Sequence, residues 1–88
     1  MNEENTSSEV SIYPNPASEH VFVNCHNNIL SAKLYDVNGN EMLIKQDTRM
    51  FSGQTITDID VRDFPIGIYF LKVTSSGETQ TKKIEIIK

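Results

Sequence analysis

Apolar residues in this chain recur at every second position, in short bursts. Val21, Val23 and Cys25 alternate with His20, Phe22 and Asn24. Leu30, Ala32 and Leu34 alternate with Ser31, Lys33 and Tyr35, and Thr57, Ile59 and Val61 with Asp58 and Asp60. A period of two belongs to strands that bury one face. The pattern predicts seven strands: 10–13, 20–25, 29–35, 41–46, 55–61, 68–74 and 79–88. In the sixth, Tyr69, Leu71 and Val73 share one face and Ile68 and Phe70 the other, which reads as a central strand covered on part of its outer side. The last carries Ile84, Ile86 and Ile87.

Turn chemistry separates these runs. Tyr13-Pro14-Asn15-Pro16 removes two backbone donors and fixes two φ angles, so it fits a corner or an edge and not a central strand. Asn38-Gly39, set between apolar stretches, is a hairpin signal because both residues tolerate positive φ. Phe64-Pro65-Ile66-Gly67 reads as a second corner. His26-Asn27-Asn28 and Ser75-Ser76-Gly77-Glu78 read as turns, and Asp47 to Gly53 as a loop. No segment keeps a helical period. Strands that each hide one face need a second layer. The expected fold is all-β, an immunoglobulin-like antiparallel β-sandwich of about seven strands without the Cys…Trp…Cys spacing of antibody domains.

Composition supports strands. Of the 88 residues, 10 are Ile, 6 Val and 7 Thr, against 4 Leu and 2 Ala, and β-branched side chains fit a pleated surface better than a helix. The length allows one domain, expected over 10–88, with residues 1–9 a flexible linker or remnant ahead of it. Net charge of −4 argues against nucleic acid, which asks for a basic face. No apolar run approaches the roughly 20 residues of a membrane-spanning helix. The acidic start is the opposite of a signal peptide. One cysteine closes no internal disulfide and builds no structural zinc site by itself.

Candidate chemistry is sparse. Asp36, Asn38 and Asn40 resemble the opening of a calcium loop, but position six is Glu41 where glycine is needed and position twelve is Asp47 where a bidentate glutamate belongs, so a structural turn is expected. Asp58, Asp60 and Asp63 read as a solvated outer face. Cys25 shares its face with Val21 and Val23, which fits a small buried hydrophobe better than a partner for His26. No catalytic residues, cofactor or metal site are expected. Lys82, Lys83 and Lys88 make the last strand basic, either as gatekeepers against aggregation or as a recognition strand for an acidic receptor.

Four segments in order then resemble one family: Tyr13-Pro14-Asn15-Pro16-Ala17, Leu34-Tyr35-Asp36-Val37-Asn38-Gly39-Asn40, the run Phe64 to Val73 (FPIGIYFLKV), and Thr81 to Lys88 (TKKIEIIK). Together they are similar to the type A C-terminal sorting domain of the type IX (Por) secretion system of Bacteroidetes. The resemblance implies a non-catalytic export signal at the end of a larger cargo protein. Cargo of this kind passes from the periplasm through an outer-membrane translocon to the cell surface or the extracellular space. There a sortase commonly cuts ahead of the domain and joins the cargo to an anionic lipopolysaccharide. The implied partners are the outer-membrane shuttle and sortase components and an upstream cargo domain in the same native chain. The positions that match the motif are Pro14, Asn15, Pro16, Gly39, Gly67, Ile68, Tyr69, Lys82, Lys83 and Lys88. Any cut is expected within Asn2, Glu3, Glu4, Asn5, Thr6, Ser7 and Ser8. With neither cargo nor signal peptide in view, the chain reads as a piece of a longer protein. Docking is expected on the last strand and its lysines, and an edge position for that strand would also allow a strand-swapped homodimer. The alternative reading is a non-catalytic binding or adhesion module for a carbohydrate or protein ligand, with Phe22, Tyr35 and Phe70 as its outward aromatic residues.

Overall fold

The computed structural model describes residues 10–26, 29–75 and 78–88, with the side chains of Ile29 and Leu30 outside that description. The expected turns at Asn27-Asn28 and Ser76-Gly77, and the expected cleavage stretch, therefore fall outside the described residues. Among the described residues there are eight strands: β1 Val10–Tyr13, β2 His20–Cys25, β3 Ile29–Asp36, β4 Glu41–Met42, β5 Lys45–Phe51, β6 Gln54–Asp60, β7 Gly67–Ser75 and β8 Glu78–Ile86. They form two antiparallel four-stranded sheets, ordered β1-β2-β6-β5 and β4-β3-β7-β8. The first order is that of the ABED sheet of an immunoglobulin constant-type domain. The second is its CFG sheet with one added edge strand. The expected all-β sandwich is observed.

One expectation fails. The run Glu41 to Gln46 is not a single strand, and Asp47 to Gly53 is not a loop. Pairing with β3 stops after Met42, the chain crosses to the other sheet through Leu43 and Ile44, and β5 runs as a seven-residue partner of β6. A two-residue turn closes that hairpin. Ser52 and Gly53 both have positive φ, 52° and 78°, as the hairpin turns that match strand twist require. Every side chain of β5 is exposed, so the segment has no buried face to impose alternation.

The core lies between the sheets, where the alternation placed it. Val21, Val23 and Cys25 of β2, Ile59 of β6 and the following Val61 meet Ala32 and Leu34 of β3, the Tyr69, Leu71 and Val73 face of β7, and Ile84 and Ile86 of β8. Cys25 is buried, with its Sγ 3.3 Å from Ser75 Oγ. Thr57 is buried too, and its hydroxyl is satisfied by Thr48 Oγ1 at 2.9 Å. β7 is central, between β3 and β8, and its outer side is partly covered: Ile68 and Thr74 are half-buried and Phe70 is 36% exposed.

Candidate recognition surface

The proline corner and the last strand meet in space. Both prolyl bonds of the corner are cis. Neither proline has an N–H to offer, so the corner bonds through Asn15 and Ala17. The Asn15 amide reaches the outer edge of β8 twice: Nδ2 donates to the Lys83 carbonyl at 3.2 Å, and Oδ1 accepts from the Glu85 N–H at 3.0 Å. Ala17 continues the ladder, donating to the Glu85 carbonyl at 2.9 Å and accepting from the Ile87 N–H at 2.7 Å. A loop that follows β1 thus clasps an edge strand of the opposite sheet.

Backbone groups in a strand point to alternate edges, so these contacts show which groups of β8 face outward: those of the odd-numbered residues. Residues 83–87 of that edge are occupied by the clasp. Among the described residues, Thr79 and Thr81 have no backbone partner on the same side. The available edge of β8 is therefore its first half. Lys82 and Lys83 are exposed beside it. Lys88 is placed differently, its Nζ donating to the Arg62 carbonyl at 2.7 Å. Arg62 in turn grips Asp60 through Nε–Oδ1 at 3.1 Å and Nη2–Oδ2 at 2.8 Å, and the Arg62 N–H adds a third bond. Hydrogen bonds from Arg62 hold the Asp60 carboxyl well below the usual carboxylate range.

The remaining motif positions have structural roles where a role is visible. Gly39 has φ +86°, which favours glycine. The Asp36 carboxylate folds over this turn and accepts from the Asn38 and Asn40 N–H groups, both at 2.9 Å, and from Asn40 Nδ2 at 3.2 Å. Those bonds, the one from the Asn40 backbone foremost, lower its pKa. The carboxylate thus serves its own loop, as expected for a turn. Tyr69 near the start of β7 is buried and its hydroxyl donates to the Pro65 carbonyl at 2.7 Å. This is the tyrosine corner of immunoglobulin-like sandwiches, and burial raises the phenol pKa. Ile68 is half-buried opposite Glu85. Nothing in the structure demands a glycine at Gly67: its φ is ordinary and an added Cβ would meet only Tyr69 Cε1, at 3.9 Å.

Asp58, read from the sequence as part of a solvated outer face, gains a histidine partner from strand register. His20 Nδ1 lies 2.7 Å from Asp58 Oδ1 across the β2–β6 pair. The His20 ring stacks on Phe22, which stacks on Tyr13, with centroids 6.1 and 5.8 Å apart. No group of three metal-ligating side chains is present among the described residues.

A family model described as the secretion system C-terminal sorting domain matches residues 11–88. The chain is also 29% identical over 83 residues to an endo-acting ulvan lyase of Formosa agariphila. That match covers 93% of this chain and 15% of the relative, so the chain spans under a sixth of the length of the protein it resembles.

Proposed function

The chain belongs to the secretion system C-terminal sorting domain family, the type IX sorting signal, and we propose that it carries a larger cargo protein through the outer-membrane translocon of that system. The domain itself is non-catalytic, and as a sorting tail it implies an upstream cargo and export to the cell surface or extracellular space. In the proposed route the cargo crosses the periplasm, the folded domain docks on the shuttle component, and a sortase cuts within residues 2–8 and transfers the cargo to lipopolysaccharide. A stretch ahead of the first strand suits cutting because no sheet has to open.

The observation that supports docking is the half-open edge of β8. Strand addition needs main-chain groups without a partner, and among the described residues Thr79 and Thr81 present them while the clasp secures the rest of the strand. Lys82 and Lys83 flank that edge and suit an acidic receptor.

The test fuses residues 2–88 behind a periplasmic reporter in a bacterium with this secretion system. Surface delivery that disappears without the translocon is the expected result; delivery that persists without it, or a reporter that stays in the periplasm, refutes the sorting reading. Thr81→Pro then probes the edge, since it removes an outward N–H that the fold does not use. Delivery should fall while the melting temperature stays near wild type; normal delivery by Thr81→Pro would refute docking by strand addition.

A further inference from the structure

The outer face of the β4-β3-β7-β8 sheet carries lysines that the fold does not neutralise. Register sets Lys33 of β3 directly opposite Lys72 of β7, and the next row across the sheet is Tyr35, Phe70 and Lys83. Like charges facing each other across a strand pair repel. Among the described residues, none of these three lysines has a carboxylate within 4.0 Å. Glu41 and Glu85, the acidic residues of this face, sit at its margins, beside Tyr35 and Ile68.

The other sheet supplies the comparison. There Asp47 faces Asp58, an acidic pair in the same relation. Each of those carboxylates has its own side-chain partner: Arg49 Nε lies 3.3 Å from Asp47 and His20 Nδ1 2.7 Å from Asp58. The fold answers one like-charge pair and leaves the other open, in a chain whose net charge is −4. An anion from outside would complete the lysine pair. Beside it stand two aromatic side chains, Tyr35 and the exposed Phe70, and the hydroxyls of Thr74, Thr79 and Thr81.

We propose that this face binds an acidic polysaccharide, with sugar rings against Phe70 and Tyr35 and carboxylate or sulfate groups against Lys33 and Lys72. An extended acidic peptide would take its affinity from main-chain bonds at a sheet edge, which the middle of a sheet face does not offer. A sugar ring uses an apolar ring face, hydroxyl partners and ammonium groups, and all three adjoin one another here. A stiff polymer also loses less conformational freedom than a flexible peptide when laid on a flat surface. The lysine pair and both aromatic side chains lie on β3 and β7, away from the clasp, and only Thr79 and Thr81 belong to the open edge of β8, so variants at the lysines and Phe70 test this face apart from the sorting function.

The test is affinity electrophoresis of the 88-residue chain in gels containing polygalacturonate, neutral dextran or polyglutamate, with co-sedimentation on phosphatidylglycerol vesicles alongside. Polygalacturonate should retard the protein and dextran should not. Polyglutamate and the vesicles should bind about tenfold more weakly or worse. Lys33→Gln with Lys72→Gln should weaken polygalacturonate binding by about tenfold, while relief of repulsion leaves the melting temperature level or slightly raised. Phe70→Thr keeps strand propensity and should also weaken binding. Lack of retardation by polygalacturonate, equal binding to polyglutamate or vesicles, or wild-type affinity in the double lysine variant overturns the proposal.

Discussion

Asn15→Ala tests the clasp directly. The side chain makes two hydrogen bonds to the β8 backbone, at 3.2 and 3.0 Å, from a position 68 and 70 residues away in sequence. A net hydrogen bond contributes about 0.5–1.5 kcal/mol, and this site is exposed enough for water to replace the lost partner, so the pair together should be worth about 1–2 kcal/mol. A domain of this size loses roughly 4–8 °C of melting temperature per kcal/mol, which places the expected fall at about 4–16 °C. The local readout is sharper. The Glu85 N–H, bonded to Asn15 Oδ1, should lose hydrogen-exchange protection in the variant, and the Ile87 N–H, held by Ala17, should lose part of its own. The outward Thr81 N–H should exchange fast in both proteins. Asn15→Asp keeps the acceptor and loses the donor, turning a carboxylate oxygen toward the Lys83 carbonyl, so Glu85 should stay protected while stability still falls. An Asn15→Ala protein with wild-type melting and a protected Glu85 amide would refute the clasp.

Tyr69→Phe removes only the hydroxyl that donates to the Pro65 carbonyl and should cost about 1 kcal/mol, seen as a drop of several degrees in a thermal melt. Ser52→Asn should raise the melting temperature slightly, because asparagine tolerates the positive φ at Ser52 and makes an Asn-Gly hairpin; a lowered value would argue against the β5–β6 turn. Asp60 titrates below its unfolded pKa because Arg62 hydrogen-bonds the carboxylate, so its contribution is complete above the ordinary carboxylate range and is lost as pH falls through the folded-state value. Melting temperatures measured from neutral pH downward should therefore fall less steeply in Asp60→Asn than in wild type, and identical slopes would count against the ion pair.

Burial decided how much of this was legible in the sequence. β2, β6 and β7 each hide one face, and their alternating residues marked both the strands and the core. β5 hides none. The strand that would cover it, β4, has only two residues, so Gln46, Thr48 and Met50, which alternate with the outward row, remain exposed. Without a buried face the sequence KQDTRMF has no reason to alternate, so Asp47 to Gly53 read as a loop. The recognition surface was legible in its parts and not in its assembly. Pro14-Asn15-Pro16 announced a corner and Lys82-Lys83 a basic strand, but only the fold brings Asn15 to Lys83 and Glu85. The same holds for His20 with Asp58, and for Lys33 opposite Lys72, where strand register does the joining.

That assembly bears on the docking proposed for the last strand, which has to be read by a receptor and yet stay folded. Ile84 and Ile86 are 2% and 0% exposed, so β8 is part of the core and not an appendage. Pulling it away would expose two buried isoleucines at about 1.5–3 kcal/mol each and break the ladder to β7. Against a total stability of roughly 0.05–0.15 kcal/mol per residue, that would unfold much of an 88-residue chain. Removing 84–88 would therefore confuse a lost docking element with a lost fold. The clasp divides the strand instead. Its second half is fixed on both edges, by β7 and by Asn15 with Ala17, and its first half is fixed on one edge only. In the proposed docking a receptor adds to Thr79–Lys83 while the core stays closed, so the domain would remain folded while that strand is bound.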